Sequence, residues 1–598
     1  MGDAQVSVGQ AMLNLKAGAL YENFVRSMSE ISALGCNDPG LPAAAAAATA
    51  ALDSATGSPQ RPSEYLCCGT RGEFGCQKGL TPLNASGSLP DVVPFDSISG
   101  WPGDWVWATA GVEIPAALLA HTGSTNYLRL VFPFIWRLLA FVSANTQGGL
   151  IRWGPYGDWL AGNKVDTGFA ENFYVYRAAV QAAGMAAALN LPSEATALLA
   201  LAASTNAALT AEYFDAAAGL WKGGGGMNLQ AIVLAGGVGN NASAAAVNST
   251  IAAMLRDAAA TDYHVTCGLA SCRWILAGLD AAGSSNNASL LMATNPTAPG
   301  WGYMVGTDDM PGTIWESWQG DAHTSSGSKD HPMFSGGLGI WLYESALGLR
   351  FAHAMQPSPI SSPSTGACTA LLSFSPQQHL GLPAALADLA CATAQLGGQQ
   401  RTLEGMHAHI RAQLQGQPER HVLGQLKPVL TLAPRAALVE AIGAASGWHD
   451  TPAGRAELSW RLLLQGGGFA LNATLPHGLQ HVLALPLQLL ARFPRLSLSL
   501  PGRGSALQAR LAQQCSGEEG VGAEVGQRGE VGQQPGLRVR LCGVGAQAAA
   551  ALSRLASEAE VEGEGRVGGV GHSISWEQGA LVLEGLGGGE VQLLLLAA

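Results

Sequence analysis

Charged residues are scarce in this chain of 598 residues: they make up 12% of it, about half the share found in an average globular protein. There are 31 Lys and Arg against 43 Asp and Glu, so the net charge is -12. The chain therefore lacks the basic balance typical of proteins that bind nucleic acid. Hydrophobic residues make up 48%, which excludes a disordered chain. We expect a folded protein with a neutral or weakly charged substrate.

Cysteines and long apolar runs are also few. The group Cys67, Cys68 and Cys76 predicts one or two disulfide bridges; a zinc site is the alternative, although the paired spacing typical of zinc ligands is missing. No apolar run reaches the roughly 18 residues of a membrane span. The glycines of 223–226 follow no strand and precede no Lys-Ser or Lys-Thr, so they predict a turn rather than a phosphate loop. We expect no membrane span, cofactor or metal.

The compartment is left open by the sequence. No signal peptide stands at the start, and the oligomeric state is not indicated. Sequons of the type Asn-X-Ser/Thr give weak support for secretion, because such tripeptides also arise by chance in a chain rich in Ala and Ser. They lie at Asn84, Asn241, Asn248, Asn287 and Asn472. A secreted, vacuolar or extracellular location is expected if a preceding segment carries the signal.

The composition divides the chain into three regions. Residues 1–355 are rich in Ala and Leu with helical periodicity, interrupted by a Gly/Pro/Ser/Cys-rich insertion at about 36–90. Residues 356–425 resemble a linker or insertion, first rich in Pro and Ser, then in Gln. Residues 426–598 show the period-two alternation of strands and include a low-complexity loop at 517–536.

Specific helices and strands are predicted from this periodicity. Helices are expected at 1–30, 104–121, 125–144, 168–189, 192–213, 227–236, 244–258, 265–281 and 336–354, with further helical pieces near 382–396 and 401–415. Strands are expected in PVLTLAP, AELSWRLLLQ, GGFALNATLP, HVLALPLQ and LSLSLPG. Paired helices with functional residues in the connecting loops suggest a toroid of helical hairpins, followed by an antiparallel sandwich.

Aromatic residues concentrate beside glycines in the helical region, where twelve of the fifteen tryptophans lie between residues 101 and 341. Aromatic faces stack on the C–H faces of sugar rings, while carboxylates and His bond their hydroxyls. The pattern therefore predicts a carbohydrate cleft. It is carried by SGWPGDWVW (99–107), WGPYGDWLAGN (153–163), PGWGYM (299–304), GTIWESW (312–318) and KDHPMFSGGLGIWLY (329–343).

Each candidate residue also has a structural interpretation. Trp101 and Trp107 are equally compatible with a place in the hydrophobic core. Asp104 and Asp158 each occur in Gly-Asp-Trp and are candidates for helix N-caps. His331 is a candidate for a structural histidine. These alternatives stay open from the sequence alone.

Glu316 is harder to explain as a structural residue. It lies beside Trp315 and two residues before Trp318. A carboxylate flanked by indoles needs a partner, because burial would otherwise raise its pKa. We therefore expect Glu316 to take part in chemistry.

The succession of these motifs resembles the α-L-rhamnosidase family of inverting glycoside hydrolases. The resemblance runs through GSLPDVVPF, GWPGDWVW, GDWL, HVTCGLASCRWILAGL, PGWGYM, TIWESW and DHPMFSGGLGIWLY, in order and with similar spacing from residue 1 to about 353. A further resemblance, at TPAGRAELSW and GFALNATLPHG (451–478), is to the family's C-terminal sandwich. Single motifs are weak, whereas their succession is strong.

The resemblance implies a mostly α-helical (α/α)6-barrel catalytic domain, followed by a smaller C-terminal antiparallel β-sandwich. It implies release of terminal α-L-rhamnose from glycosides or polysaccharides with inversion, without metal or cofactor. Glu316 matches the general base. The residues expected to line the rhamnose subsite are Asp3, Trp101, Asp104, Trp107, Asp158, Trp159, Trp315 and His331.

The family's general acid has no counterpart in this sequence, because Asp3 matches an Asp that follows that acid by a few residues. We expect an N-terminally truncated chain; a degenerate, non-catalytic carbohydrate-binding member is the alternative. Asp91 and Asp96 are weak candidates to replace the acid. A lyase on a helical toroid is disfavoured by the scarcity of Lys. A repeat scaffold is disfavoured because no fixed period is found.

Overall fold

The computed structural model describes most of the helical region and parts of the C-terminal region. The described residues are 2–15, 17–34, 88–90, 93, 103–189, 191–239, 243–282, 287–307, 312–318, 328–351, 429–463, 467–477, 479–486, 489, 492, 495–499, 507–510, 524–525, 538–541, 573–577, 580–586 and 589–596. Several predictions fall outside them: the insertion up to residue 87, the linker 356–425, the loop 517–536 apart from residues 524–525, Trp101, Asp91, Asp96, and Cys67, Cys68 and Cys76.

The helical region follows most of the predicted bounds. Two predictions were wrong in part: the helix expected over 104–121 is broken at Thr109, and the helix expected over 336–354 ends at Leu347, after which residues 349–351 form a strand. The first helices of the region are α1 Gly2–Asn14, α2 Gly18–Leu34, α3 Trp105–Ala108, α4 Ala110–Thr122, α5 Thr125–Ala144, α6 Thr167–Ala188 and α7 Pro192–Tyr213. They are followed by α8 Met227–Gly236, α9 Ala244–Ala260, α10 Leu269–Ala281, α11 Ala288–Thr294, α12 Trp301–Gly306 and α13 Ser335–Trp341, which continues as a π-helix over Leu342–Leu347. A short hairpin, β1 Phe214–Asp215 and β2 Leu220–Trp221, separates α7 from α8.

Local capping sets several of these ends. The side chains of Ser124, Asp166 and Ser243 accept N–H bonds in the first turns of α5, α6 and α9. Gly123 and Gly237 end α4 and α8 in the left-handed conformation, with φ of 65° and 75°. These are the residue types that favour caps, which is why the sequence predicts the bounds well.

The predicted helix over 1–30 is two helices: α1 ends at Asn14 and α2 begins at Gly18. The break lets the two pieces pack on different neighbours: α1 contacts α4, α10 and α13, whereas α2 contacts α4 and α5. Helix α1, the first of the region, thus lies against α13 near its end. The short helices α11 and α12 were not predicted.

Glycine allows the close packing of α13 against its neighbours. A Cβ atom built on Gly336 would lie 2.0 Å from the carbonyl oxygen of Val6, and one on Gly337 would lie 2.3 Å from that of Cys272. Any side chain at either position would push α13 away from α1 or α10. The run FSGGLGIW is therefore a helix-packing surface as well as a motif.

A charged cluster lies inside the helical region. Glu113 on α4 accepts from Arg177 Nε on α6 at 2.6 Å and from Arg273 Nη1 on α10 at 3.1 Å. The guanidinium carbon of Arg177 lies 4.4 Å from the centroid of the Trp274 ring. Burial alone would raise the pKa of Glu113, but the two arginines outweigh it and lower the pKa to about 2.

The C-terminal strands form two sheets, whose strands are β3 Leu349–Phe351, β4 Val429–Leu432, β5 Ala444–Thr451, β6 Gly454–Leu462, β7 Gly468–Leu475, β8 Gln480–Pro486, β9 Arg495–Ser499, β10 Leu507–Arg510, β11 Glu524–Val525, β12 Arg538–Leu541, β13 Ser573–Glu577, β14 Ala580–Leu586 and β15 Gly589–Leu596. One sheet has the order β10-β9-β15-β7-β6-β5 and is antiparallel throughout. The other has the order β11-β12-β13-β14-β8-β4-β3, and its pairs β12–β13 and β4–β8 are parallel, unlike the predicted pattern. A short helix, α14 Ala436–Ile442, precedes β5.

The helical and strand regions share an interface. Strand β3, at the end of the helical region, pairs with β4. The indole N–H of Trp460 donates to the carbonyl oxygen of Leu347 at 2.9 Å, and His449 Nδ1 lies 2.7 Å from that of Leu13. Strand β3, an edge of the seven-stranded sheet, therefore lies within residues 1–355, the segment predicted to be the catalytic domain.

Helix α5 is long and apolar enough to cross a membrane by length and composition, with a mean hydropathy of 1.5. The helix is not one uninterrupted apolar run, because Arg129 and Arg137 lie within it. In the fold, 67% of the apolar window is buried inside the protein. Core helices of folded domains pass the same test, so one such helix is weak support for a span.

The buried ion cluster gives a prediction for stability. Glu113→Ala leaves two buried arginines without their carboxylate and should lower the free energy of unfolding by about 3–5 kcal/mol. Glu212→Ala is the matched control: it removes an exposed pair with Arg152 and should cost less than about 1 kcal/mol. Urea unfolding followed by tryptophan fluorescence measures both. Equal losses in the two variants would contradict the role assigned to the cluster.

Candidate functional site

Glu316 lies where two loop segments pair. Its backbone N–H donates to the carbonyl oxygen of Ser328 at 2.8 Å, and the N–H of Ser328 donates back to Glu316 Oε2 at 3.0 Å. The N–H of His331 donates to the carbonyl oxygen of Ile314 at 2.8 Å. These bonds align the segment 313–318 with 328–331. Glu316 is half-buried, and its carboxylate is held in one orientation by a backbone donor.

The two tryptophans beside Glu316 are both buried, but they have different neighbours. The ring of Trp318 stacks on Phe334, with centroids 4.2 Å apart, and its indole N–H donates to the carbonyl oxygen of Cys267 at 2.6 Å. Trp315 meets the edge of Tyr303 and lies under the ammonium of Lys329, which is 5.3 Å from the ring centroid. Trp318 thus anchors the loop to the core, while Trp315 is the indole directly next to the carboxylate.

Asp3 and His331 come together across the chain. Asp3 lies in the first turn of α1, a favourable place for a carboxylate. Its Oδ2 is 4.0 Å from His331 Nε2. His331 Nδ1 accepts from the N–H of Met333 at 3.2 Å, so in the neutral ring Nε2 carries the proton and points toward Asp3. The sequence predicted both residues for the site, and the fold makes them neighbours.

An aromatic wall is formed by Trp107, Tyr156 and Trp159. The rings of Trp107 and Tyr156 stack with centroids 4.3 Å apart and an interplanar angle of 16°. Trp159 meets Tyr156 edge-on at 5.4 Å and is 38% exposed. Tyr156 was not among the predicted site residues, although it lies in the same GPYGDW motif. The wall offers the kind of aromatic face that packs against sugar rings.

Asp104 lies beneath this wall rather than in it. The residue is fully buried. Its Oδ1 accepts from the N–H of Trp107 in the first turn of α3, and its Oδ2 accepts from the N–H groups of Tyr156 and Gly157 at 2.8 and 3.0 Å. Of the two interpretations of the sequence, the geometry matches the helix cap.

Asp158 is likewise fully buried, and it caps a distant helix. Its Oδ1 accepts from the N–H of Ser271 at 3.0 Å, and its Oδ2 accepts from the Ser271 hydroxyl at 2.8 Å and the N–H of Val165 at 3.3 Å. Ser271 lies in the first turn of α10, where a carboxylate complements the helix dipole. Burial raises the pKa of Asp158 to about 6, against the opposing effect of these donors.

One loop joins the wall to the Glu316 segment. The N–H of Leu269 donates to the carbonyl oxygen of Trp159 at 2.8 Å. Two residues earlier, the carbonyl oxygen of Cys267 accepts from Trp318. The residues 266–269 therefore lie between the two groups of site residues. Neither these groups nor any other described residues contain a cluster of three or more His, Cys, Asp or Glu suited to a metal ion.

Residues 1–346 match the family model described as the bacterial alpha-L-rhamnosidase 6 hairpin glycosidase domain. The chain belongs to this family. The matched segment includes Glu316, His331 and the aromatic wall. Members of the α-L-rhamnosidase family are glycoside hydrolases, and the helical region is a six-hairpin glycosidase domain. No match is found among curated proteins.

Solved structures of α-L-rhamnosidases have a similar fold. That of Dictyoglumus thermophilum has a TM-score of 0.57 at 15% identity, covering 100% of this chain and 46% of that one. That of Streptomyces avermitilis, complexed with L-rhamnose, has a TM-score of 0.56 at 15% identity, with 99% and 38% covered. That of Aspergillus terreus has a TM-score of 0.52 at 16% identity, with 85% and 44% covered. The chain thus spans less than half the length of each, and at these identities the likeness shows the fold.

The environment of Asp158 predicts a pH dependence of the family domain. Its pKa is raised from 3.8 to about 6 in the fold, so its stabilising contribution is complete below pH 3.8 and is lost as the pH rises through about 6. Asp158→Asn should remove up to about 3 kcal/mol of the difference in unfolding free energy between acidic and neutral pH. Urea unfolding at several pH values measures this difference.

Asp262→Asn is the control for that experiment. Asp262 is exposed, with a φ of 51° that asparagine also tolerates. Its pH profile should match that of the unmodified protein. If Asp158→Asn had the same profile as well, Asp158 would not be the group responsible.

Proposed function

We propose that this family member is an α-L-rhamnosidase that hydrolyses terminal α-L-rhamnosides with inversion, with Glu316 as general base. The observation that carries the proposal is the position of the Glu316 carboxylate. This carboxylate accepts from the N–H of Ser328. Glu316 lies in the same segment as Trp315, and the backbone of that segment is paired with the segment that carries His331. A proton acceptor in a fixed orientation beside aromatic surface is what base-assisted attack of water on a sugar requires.

Inversion places two further demands on the site. It needs a second carboxyl group as general acid, roughly 6.5–9.5 Å from the base, with a water between base and sugar. We assign the general base to Glu316, and we assign the general acid to none of the described residues. The base removes a proton from the water as it attacks the anomeric carbon, on the face opposite the leaving oxygen.

Three groups of residues are proposed to hold the sugar. The wall of Trp107, Tyr156 and Trp159 packs on the ring face and the C6 methyl of the deoxysugar. His331 Nε2–H donates to a ring hydroxyl, and Asp3, whose side chain is 51% exposed, accepts from one. Asp104 and Asp158 support the wall and α10 from beneath, which replaces the direct hydroxyl contacts first expected of them.

The proposal includes the architecture. An (α/α)6 barrel is supported by the contacts of α1 with both α4 and α13, which bring the beginning and end of the helical region together. The two C-terminal sheets are proposed to form the smaller sandwich domain. In this arrangement the loops that carry Glu316 and the wall open on one end of the barrel. The substrate is a rhamnose-containing glycoside or polysaccharide.

Glu316→Gln tests the base. The amide keeps the shape of the side chain but accepts a proton poorly, so kcat for an aryl α-L-rhamnoside should fall by about 10²-fold or more, while L-rhamnose binding should persist. Release of the aryl group measures kcat, calorimetry measures binding, and NMR identifies the first anomer formed. Glu457→Gln, an exposed change on β6, is the control and should leave both unchanged.

The outcomes separate the proposal from its alternative. An unchanged kcat in Glu316→Gln would place the base elsewhere. If the unmodified chain binds L-rhamnose but releases no aryl group, the chain is a carbohydrate-binding member without catalysis. If the first product retains the anomeric configuration, the inverting mechanism is wrong.

A further inference from the structure

Two buried carboxyl groups meet beneath the aromatic wall. Asp104, before α3, is 0% exposed, and Glu171, on α6, is 1% exposed. Glu171 Oε2 accepts from the N–H of Trp105, the residue that follows Asp104, so both carboxyl groups lie at the start of α3. Two carboxylates buried side by side repel each other, and this repulsion favours a proton on one of them.

The surroundings assign that proton to Glu171. Asp104 accepts from three backbone N–H groups, a role that needs no proton on its carboxyl group. Glu171 faces Asp104, the N–H groups of Trp105 and Val106 on α3, and Gly154. Burial and the neighbouring Asp104 raise the pKa of Glu171 well above its ordinary value.

The two carboxyl groups together hold the backbone of both stacked aromatic segments. Glu171 Oε2 accepts from the N–H groups of Trp105 and Val106 at 2.5 and 3.2 Å, at the start of the short helix that carries Trp107. Asp104 Oδ2 accepts from the N–H of Tyr156 itself. Asp104 Oδ1 also accepts from the N–H of Trp107, so Asp104 bonds both segments, and Glu171 bonds the start of α3 beside it.

We propose that Asp104 and Glu171, sharing one proton, are positioning residues that set the Trp107–Tyr156 stack and thereby the sugar-binding wall. The inference rests on the proposed function for the role of the wall, but the coupling itself concerns the protein alone. Loss of the proton would leave two negative charges in contact inside the protein, where their repulsion is strong. The stack should then loosen as the pH rises above the point at which Glu171 ionises.

The first test uses the whole chain without ligand. Near-ultraviolet circular dichroism, which reports on packed Trp and Tyr rings, is followed from about pH 5 to about pH 9, below the usual titration of tyrosine. The unmodified protein should show a transition that Glu171→Gln lacks. Glutamine stays neutral, accepts from the same N–H groups and donates to Asp104, so it mimics the protonated acid.

Two further variants sharpen this test. Glu194→Gln changes another buried glutamate of the helical region, on α7, and should keep the transition. Glu171→Ala should lose the wild-type signal even at acidic pH, whereas glutamine should restore it. If Glu171→Ala fails to fold, the comparison of the unmodified protein with Glu171→Gln still decides. A transition that persists in Glu171→Gln, or its absence from the unmodified protein, would overturn the inference.

The second test connects the pair to the sugar. The Kd for L-rhamnose, measured by calorimetry across the same pH range, should rise by about tenfold or more in the unmodified protein and stay level in Glu171→Gln. If the circular dichroism transition behaves as expected but L-rhamnose binds at no pH, the proposed function fails and the coupling of the pair to the stack stands. If the Kd rises equally in both proteins, Glu171 does not position the wall.

Discussion

The site depends on the backbone of residues 266–269, a short loop together with the first residue of α10. Its carbonyl and amide groups bond Trp318 on one side and the backbone of Trp159 on the other. The loop then runs directly into α10, whose first turn is bonded by Asp158. Buried backbone groups need such partners, so satisfying the loop also fixes the distance between the aromatic wall and the Glu316 segment. The two groups of site residues come from segments far apart in sequence, and this loop is the structural element they share.

Buried acids in this fold are each stabilised in a different way. Glu113 is neutralised by two arginines, which lower its pKa. Asp158 faces a helix N-terminus and a serine, and burial still raises its pKa. Burial and the neighbouring Asp104 raise the pKa of Glu171 well above its ordinary value. A chain with few charges places several of them inside, because these acids tie helices and loops together where apolar packing has no direction.

Sequence reasoning succeeded where the signals are local. The ends of α4, α5 and α6 follow from Gly123, Ser124 and Asp166, which act within one turn of their own position. The break after α1 was missed because the apolar periodicity of the sequence continues across it, from Val6 to Val25. Strand β5 was missed because its sequence, AASGWHDT, lacks alternation of apolar and polar residues.

The candidate site shows the same division between residues with a local signal and residues whose partners are distant in sequence. Glu316, Asp3 and His331 could be named because the order of motifs resembles a known family. Asp104 and Asp158 were correctly recognised as possible caps, but the helix that Asp158 caps begins 111 residues later. Glu171 carries no local signal at all, since the backbone N–H groups that it bonds lie on α3, far from it in sequence. Tyr156 lies inside a recognised motif and could have been chosen for its aromatic ring.

Helix α1 connects the strand region to the proposed sugar site. Its Leu13 carbonyl is bound to His449 on strand β5, while Asp3 lies one helix-length away beside His331. Ten residues of helix span about 15 Å, so a tilt of about 5° at the sheet end would swing the Asp3 carboxylate by about 1 Å, enough to spoil a hydroxyl contact. If Asp3 binds the sugar as proposed, the rigidity of the strand region becomes part of how firmly the sugar is held.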